Sequence, residues 1–190
     1  MTREAFIEVL NGEGYSYEIK GNKIVVTDDD AVHLDALTSL TPGVVFRNDG
    51  DVGLDALTSI PPGVVFRNDG DVGLDAITSI PPGVVFRNEG FVYLGALTSL
   101  PPGVVFRNEG YVSLGALTSL PPDVVFENGG SVYLDALTSL PPGLEFRNWE
   151  HDVYLVALIG NWFSKWKGNI EGIDSKRLLN SMISKGLFER

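Results

Sequence analysis

The sequence predicts a mainly β protein, a single-stranded β-solenoid of the right-handed type. Three observations carry that expectation. Residues 31–150 fall into six near-identical 20-residue units starting at 31, 51, 71, 91, 111 and 131, and such a period marks a stacked repeat architecture. Each unit follows x-V-x-L-x-A-L-T-S-L-P-P-G-V-V-F-R-N-x-G with small departures. It holds two apolar pieces and two turn clusters, with no room for a helix of ordinary length. The flanks, 1–30 and 151–190, do not repeat and are expected to close the ends of the stack.

Within a unit, V-x-L-x-A-L alternates as a half-buried strand does. The second piece, V-V-F-R-N, reads Leu144-Glu145-Phe146 in the sixth unit. Its middle position therefore accepts a charge and faces out. Val44, Phe46 and Asn48 then face in, and Val45 and Arg47 face out. Pro-Pro-Gly and Asn-x-Gly supply the bends. One unit cannot bury its own apolar face. Stacking would align Leu34, Leu54, Ile77 and Leu94 in one column and Phe46, Phe66, Phe86 and Phe106 in another, roughly 4.8 Å apart. The inward asparagines, from Asn48 to Asn148, would form an amide ladder or bond the turn backbone. The Thr38-Ser39 pair and its copies would satisfy a corner in the same way.

The ends read as caps. Thr2 can cap a helix through about Leu10, with Gly12 and Gly14 ending it. Tyr15–Ile19 and Lys23–Val26 form a hairpin about Gly21-Asn22. Val153 to Leu158 begins a degraded seventh unit, shifted by one residue. Trp162, Phe163 and Trp166 follow, and Asp174 opens a helix through Lys185. These aromatics either cover the last coil or present a dimer or partner surface. The organisation is an N-terminal cap over 1–30, repeats over 31–150 and a C-terminal cap over 151–190.

Leu97-Thr98-Ser99-Leu100-Pro101 and its copies resemble the short leucine-rich repeats of bacterial effector proteins. The longer pattern is similar to repeat proteins of bacteria and their phages. The resemblance implies a protein-interaction solenoid and makes a leucine-rich horseshoe the alternative fold. That family places Asn two residues before the Leu that opens L-T-S-L. Here Asp35, Asp55 and Gly95 stand there, and Asn follows V-V-F instead, which favours the compact β-solenoid.

Charge narrows the function. The net charge of −11 divides into −4 over 1–30 (7 acids, 3 bases), −9 over 31–150 (14 acids, 5 bases) and +2 over 151–190 (4 acids, 6 bases). An acidic repeat body disfavours direct binding to nucleic-acid phosphates and suits a partner protein with a basic surface. No apolar run approaches the ~18 residues of a membrane span, and the N-terminus has no secretory pattern. The expected location is cytoplasmic. With no Cys and two His, neither a metal nor any other cofactor is expected.

Three outward columns vary while the rest repeat. The early coils place Asp35, Asp51, Asp55, Asp71 and Asp75 there, and the later ones Phe91, Tyr93, Tyr111 and Tyr133. Asp55 and Asp75 at one-coil spacing would approach the ~5 Å separation of retaining glycosidases. Yet these acids recur in equivalent surroundings, and no long loop builds a cleft. The expected function is non-enzymatic protein binding through this acidic–aromatic face, in a monomer or in a homodimer formed through the C-terminal cap. The alternatives are an acidic DNA mimic that blocks a host nuclease or defence complex, and a glycan-binding or glycoside-hydrolysing β-helix.

Overall fold

The computed structural model describes residues 1–141, 144–146 and 153–155. Arg147, Asn148, His151, the cap aromatics Trp162, Phe163 and Trp166, and the expected helix over 174–185 lie outside the described residues.

Helix α1 (Arg3–Glu13) starts where Thr2 accepts a hydrogen bond from the Ala5 N–H at 3.2 Å. It runs past the expected Leu10 because Gly12 stays helical, and only Gly14, at φ 82°, takes the left-handed conformation that stops a helix. Phe6 and Leu10 are buried in the end of the core. Strands β1 (Tyr17–Lys20) and β2 (Lys23–Val26) form an antiparallel hairpin. β2 then pairs in parallel with Val44–Phe46 of the first coil, Ile24 beside Val44 and Val26 beside Phe46. The cap thereby starts the ladder of the repeats.

Each coil gives one short strand to each of two sheets. The described strands form an eight-stranded sheet that begins with the β1–β2 hairpin and continues through the V-V-F strands, and a seven-stranded sheet of V-x strands. The described coil-to-coil pairings are parallel and, through the sixth coil, match residues 20 apart, as Val52 with Val72 and Phe66 with Phe86. The seventh coil keeps the ladder but shifts by one, pairing Val132 with Val153 and Tyr133 with Tyr154. A third side carries Thr-Ser, where the Thr98 N–H donates to the Thr78 carbonyl at 2.9 Å and Ser79 bridges Ser99. The chain is thus a β-solenoid, and the described residues of its repeats contain no helix.

The first apolar piece is shorter than the sequence predicts. Only Val32–His33 is strand. The Leu37 N–H donates to the Leu34 carbonyl at 2.8 Å, so L-x-A-L closes a turn. The reason is geometric: residues three apart fall on opposite faces of a strand, whereas both leucines are buried. This turn also sorts the core columns. Ile77 stands with Leu57 and Leu97, and the residue that stacks with Leu54 and Leu94 is Leu74; all are buried. The phenylalanine column is continuous, with Phe46, Phe66 and Phe86 rings nearly parallel at 5.3 Å centroid spacing.

Two corners hold the coils in register. At Pro-Pro-Gly, Gly43, Gly63, Gly83 and Gly103 have φ between 72° and 86°, and Asp123 takes the same place at φ 62°. At Asn-x-Gly, the asparagine amide turns to the backbone and not to its neighbours. Asn88 Nδ2 donates to the carbonyls of Gly70, Gly90 and Phe91 at 3.1, 3.0 and 3.1 Å. The ladder is therefore one of side chain to corner carbonyls, and each Oδ1 from Asn48 to Asn128 is left buried and unpaired. The corner glycine is needed for close approach. A Cβ on Gly70 would lie 2.5 Å from the Asp51 nitrogen and 2.6 Å from the Gly50 carbonyl carbon.

Candidate binding cleft

The seven-stranded sheet buries the Val of each V-x strand and turns the second residue outward, and the variable columns of the sequence come together there. Asp35, Asp51, Asp55, Asp71, Asp75 and Tyr93 line one open cleft of about 330 Å³, with His33, Val52, Gly53 and Gly73. Its shape follows from side-chain size at one column. That column reads His33, Gly53, Gly73, Tyr93, so two consecutive coils have no side chain where their neighbours carry a ring. Gly53 and Gly73 make the floor, and His33 and Tyr93 close the ends. The residues before and after this column supply the walls, Asp51 and Asp71 on one side, Asp35, Asp55 and Asp75 on the other. The sequence offered no cleft-building loop. The cleft arises instead from two missing side chains, and the floor spans about 10 Å at two strand spacings.

Asp35 and its equivalents do not occupy a strand, as alternation suggested. They sit in the turn that follows it, yet they still face the cleft.

The aspartates also have a backbone role that the columns did not reveal. The Asp71 N–H donates to Asp51 Oδ1, and the Phe91 N–H to Asp71 Oδ1, both at 2.8 Å. The Gly95 N–H donates to Asp75 Oδ1 at 3.2 Å, and the Asp55 N–H to Asp35 Oδ1 at 3.5 Å. Each bond ties one coil to the next just outside the two-residue strand, where the ladder gives out. A charge-assisted bond of this kind offsets the repulsion between carboxylates one coil apart. His33 Nδ1 lies 3.8 Å from Asp35 Oδ2, both side chains being exposed.

Beyond Tyr93 the face becomes aromatic. Phe91 stacks on Tyr111 at 3.8 Å, and Tyr93 meets Tyr111 edge-on at 5.6 Å. The Tyr93 and Tyr111 hydroxyls share a hydrogen bond at 2.7 Å. That bond, with burial and the Asp71 carboxylate adding to it, pushes the Tyr93 hydroxyl well above the usual tyrosine range. Tyr133 follows at 5.4 Å from Tyr111, and Tyr154 stacks on Tyr133 at 4.6 Å. Tyr154 was missed from sequence because the one-residue shift of the seventh coil takes it out of the 20-residue column. Phe91 and Tyr154 are the most exposed of these rings, at 37% and 39%.

Among the described residues, no three of His, Asp and Glu are placed to hold a metal ion, and no helix is long and apolar enough to cross a membrane. The other groove of note lies on the outer side of the eight-stranded sheet, between Lys20, Lys23, Arg47 and Arg67 over Val25, Val45 and Val65. Val45 faces out as expected but is only 6% exposed. Comparison with protein-family models, with curated proteins and with solved structures finds no match.

Proposed function

We propose that this chain is a non-enzymatic binding solenoid whose acidic–aromatic cleft takes an extended, basic segment of another protein. The observation that carries the reading is the glycine-floored slot, walled by two rows of carboxylates and ended by Tyr93. Asp51, Asp71 and Asp75 each spend Oδ1 on a backbone N–H, which fixes the carboxylate and leaves Oδ2 for a ligand. Rows one coil apart, roughly 4.8 Å, fall short of the ~6.6–7 Å between alternate side chains of an extended peptide. Lysine or arginine side chains are long enough to take up that difference. The Tyr93 and Phe91 rings add a surface on which a guanidinium stacks. The repeated, equivalent placement of the acids supports binding over catalysis, which needs two carboxyls in unlike surroundings. The exposed Arg47, Arg67 and Arg87 weigh against a uniform mimic of DNA.

The test is charge removal that keeps the fold. Asn retains the Oδ1 acceptor, so a variant with Asp51→Asn, Asp55→Asn, Asp71→Asn and Asp75→Asn loses four charges and no coil-to-coil bond. An extended Lys/Arg peptide, titrated calorimetrically, should bind this variant at least about 10-fold more weakly, a loss of ~1.4 kcal/mol. The control removes four charges from the Asn-x-Gly corners, through Asp49→Asn, Asp69→Asn, Glu89→Gln and Glu109→Gln. Equal weakening by both sets would mean attraction to net charge alone and would defeat the reading.

A further inference from the structure

The N-terminal hairpin ends the eight-stranded sheet in an open edge. β1 is the terminal strand, and among the described residues nothing pairs with its outer side. Such an edge is a template for another strand unless the protein blunts it. The other sheet is treated differently. Its first strand, Val32–His33, is closed by the Tyr15 hydroxyl, which accepts from the His33 N–H at 2.9 Å and donates to the His33 carbonyl at 3.2 Å. No such cap covers β1, and Glu18, Ile19 and Lys20 are exposed, Ile19 at 49%.

The register states which backbone groups are free. Ser16 accepts from the Thr27 N–H at 3.0 Å, and Tyr17 lies opposite Val26 and Ile19 opposite Ile24. Ladder bonds alternate along an antiparallel pair. Ser16, Glu18 and Lys20 thus direct their backbone groups to β2, and Tyr17 and Ile19 direct theirs to the open edge.

We infer that this edge is a self-pairing surface, and that its occupant is β1 of a second copy of the chain, antiparallel, about a two-fold axis at Ile19. The charge pattern singles out this arrangement. With Ile19 opposite Ile19 of the second copy, the two exchange both backbone hydrogen bonds. Glu18 then stands opposite Lys20 of the second copy, and Lys20 opposite its Glu18. These flanking pairs are of the non-hydrogen-bonded kind, whose side chains approach most closely. Tyr17 packs back on its own core, its hydroxyl donating to Asn11 Oδ1 at 3.2 Å, and Arg3 donates to the Gly21 carbonyl at 3.3 Å, so the pairing is centred on residues 18–20. Glu18 and Lys20 already attract each other within one chain, 2.5 Å apart, and this contact lowers the Glu18 carboxyl below its usual range. Pairing exchanges the two such contacts of the separate copies for two equivalent ones across the axis. Charged residues on an edge ordinarily repel a second copy. Here opposite signs at positions 18 and 20, placed symmetrically about an apolar residue, make the edge complementary to itself. The result is an isologous, closed dimer, in which two sheets join end to end. The acidic cleft lies on the other sheet, so this dimer does not depend on the cleft binding anything.

Mass measured by light scattering over a concentration series tests it on the full chain. Twice the 20.6 kDa chain, 2 × 20.6 = 41.2 kDa, is expected at high concentration. Glu18→Lys alone and Lys20→Glu alone each place like charges across the axis, and each should return the mass to 20.6 kDa where the parent is dimeric. The double exchange, Glu18→Lys with Lys20→Glu, restores opposite signs and should restore the dimer. A second readout uses Ile19→Cys, a single thiol in a chain that has none. Its Cα would lie about 5.5 Å from its symmetry mate, within disulfide range, and mild oxidation should link the copies. Circular dichroism confirms that each variant keeps its β fold. A parent that stays at 20.6 kDa throughout, a dimer that survives either single reversal, or a double exchange that does not recover would each overturn the inference.

Discussion

At the scale of single residues, the repeat shows which departures from its consensus carry strain and which carry chemistry. Asp123 is the one described non-glycine residue with positive φ, at 62°, where four other coils place glycine. L-residues bear about 1–2 kcal/mol in that conformation, Asp somewhat less, and Gly restores it at some loss of unfolded-state order. Asp123→Gly should therefore raise stability by about 0.5–1 kcal/mol in urea denaturation; no change or a loss would mean that the carboxylate holds the turn. Tyr93 gives a pH signature. Its folded pKa is raised, so the neutral hydroxyl is favoured in the native state. The stability this contributes is complete below the unfolded value of about 10 and is lost as pH rises toward the folded one. The stability advantage of the parent over Tyr93→Phe should accordingly shrink between pH 9 and pH 11 by linkage. An advantage independent of pH would show that the hydroxyl pair with Tyr111 is not what sets this group.

At the scale of the element, the corner and the short strand explain what the sequence could and could not reveal. Asn at position 18 of each coil was legible as an inward polar residue because Phe two places earlier is inward. Its bonding was open from sequence alone, since a stack of amides can pair with itself or with the turn. The structure resolves this through the corner glycine, which brings the carbonyls of two coils to within reach of one Nδ2. Asn88→Asp replaces that donor with an acceptor facing three carbonyls. At neutral pH it should cost about 3–5 kcal/mol as an uncompensated buried charge. Its folded pKa would be raised, so the loss should lessen as pH falls toward ~4 and the acid gains a proton to donate. Equal stability at pH 7 would contradict the assigned role of the amide. The V-x-L-x-A-L piece reads as strand because its first four residues alternate. The second leucine, three places after the first, was the overlooked sign of a turn. The same turn hid the backbone role of the aspartates, because a residue in a strand would not be expected to cap the next coil's N–H.

At the scale of the whole molecule, a ladder of identical coils makes a uniform rod, and function has to come from where it is not uniform. The period, the inward Phe and Asn columns, the cap at the N-terminal end and the acidic–aromatic division were legible, since each rests on repetition or on local pattern, whereas the leucine columns were sorted only by the turn that places Leu74, not Ile77, with Leu54 and Leu94. The cleft was not. Its floor is made by what Gly53 and Gly73 lack, and a missing side chain becomes a cavity only when His33 and Tyr93 are known to stand at either end of the same column. That same column supplies the most direct measurement. His, Tyr and Ser occur at this position in other coils, so Gly53→Tyr with Gly73→Tyr should be accepted by the backbone and should fill the slot without removing any carboxylate or changing the net charge; the Asp35 and Asp55 side chains, whose Oδ1 atoms lie 2.5 and 2.8 Å from the added Cβ positions, have to swing aside. Titration of the extended Lys/Arg peptide into this variant, with thermal unfolding to verify the fold, separates a shaped site from a charged surface. Binding that falls at least about 10-fold in the filled, folded variant is the expected result, and binding equal to that of the parent would contradict the cleft as the site.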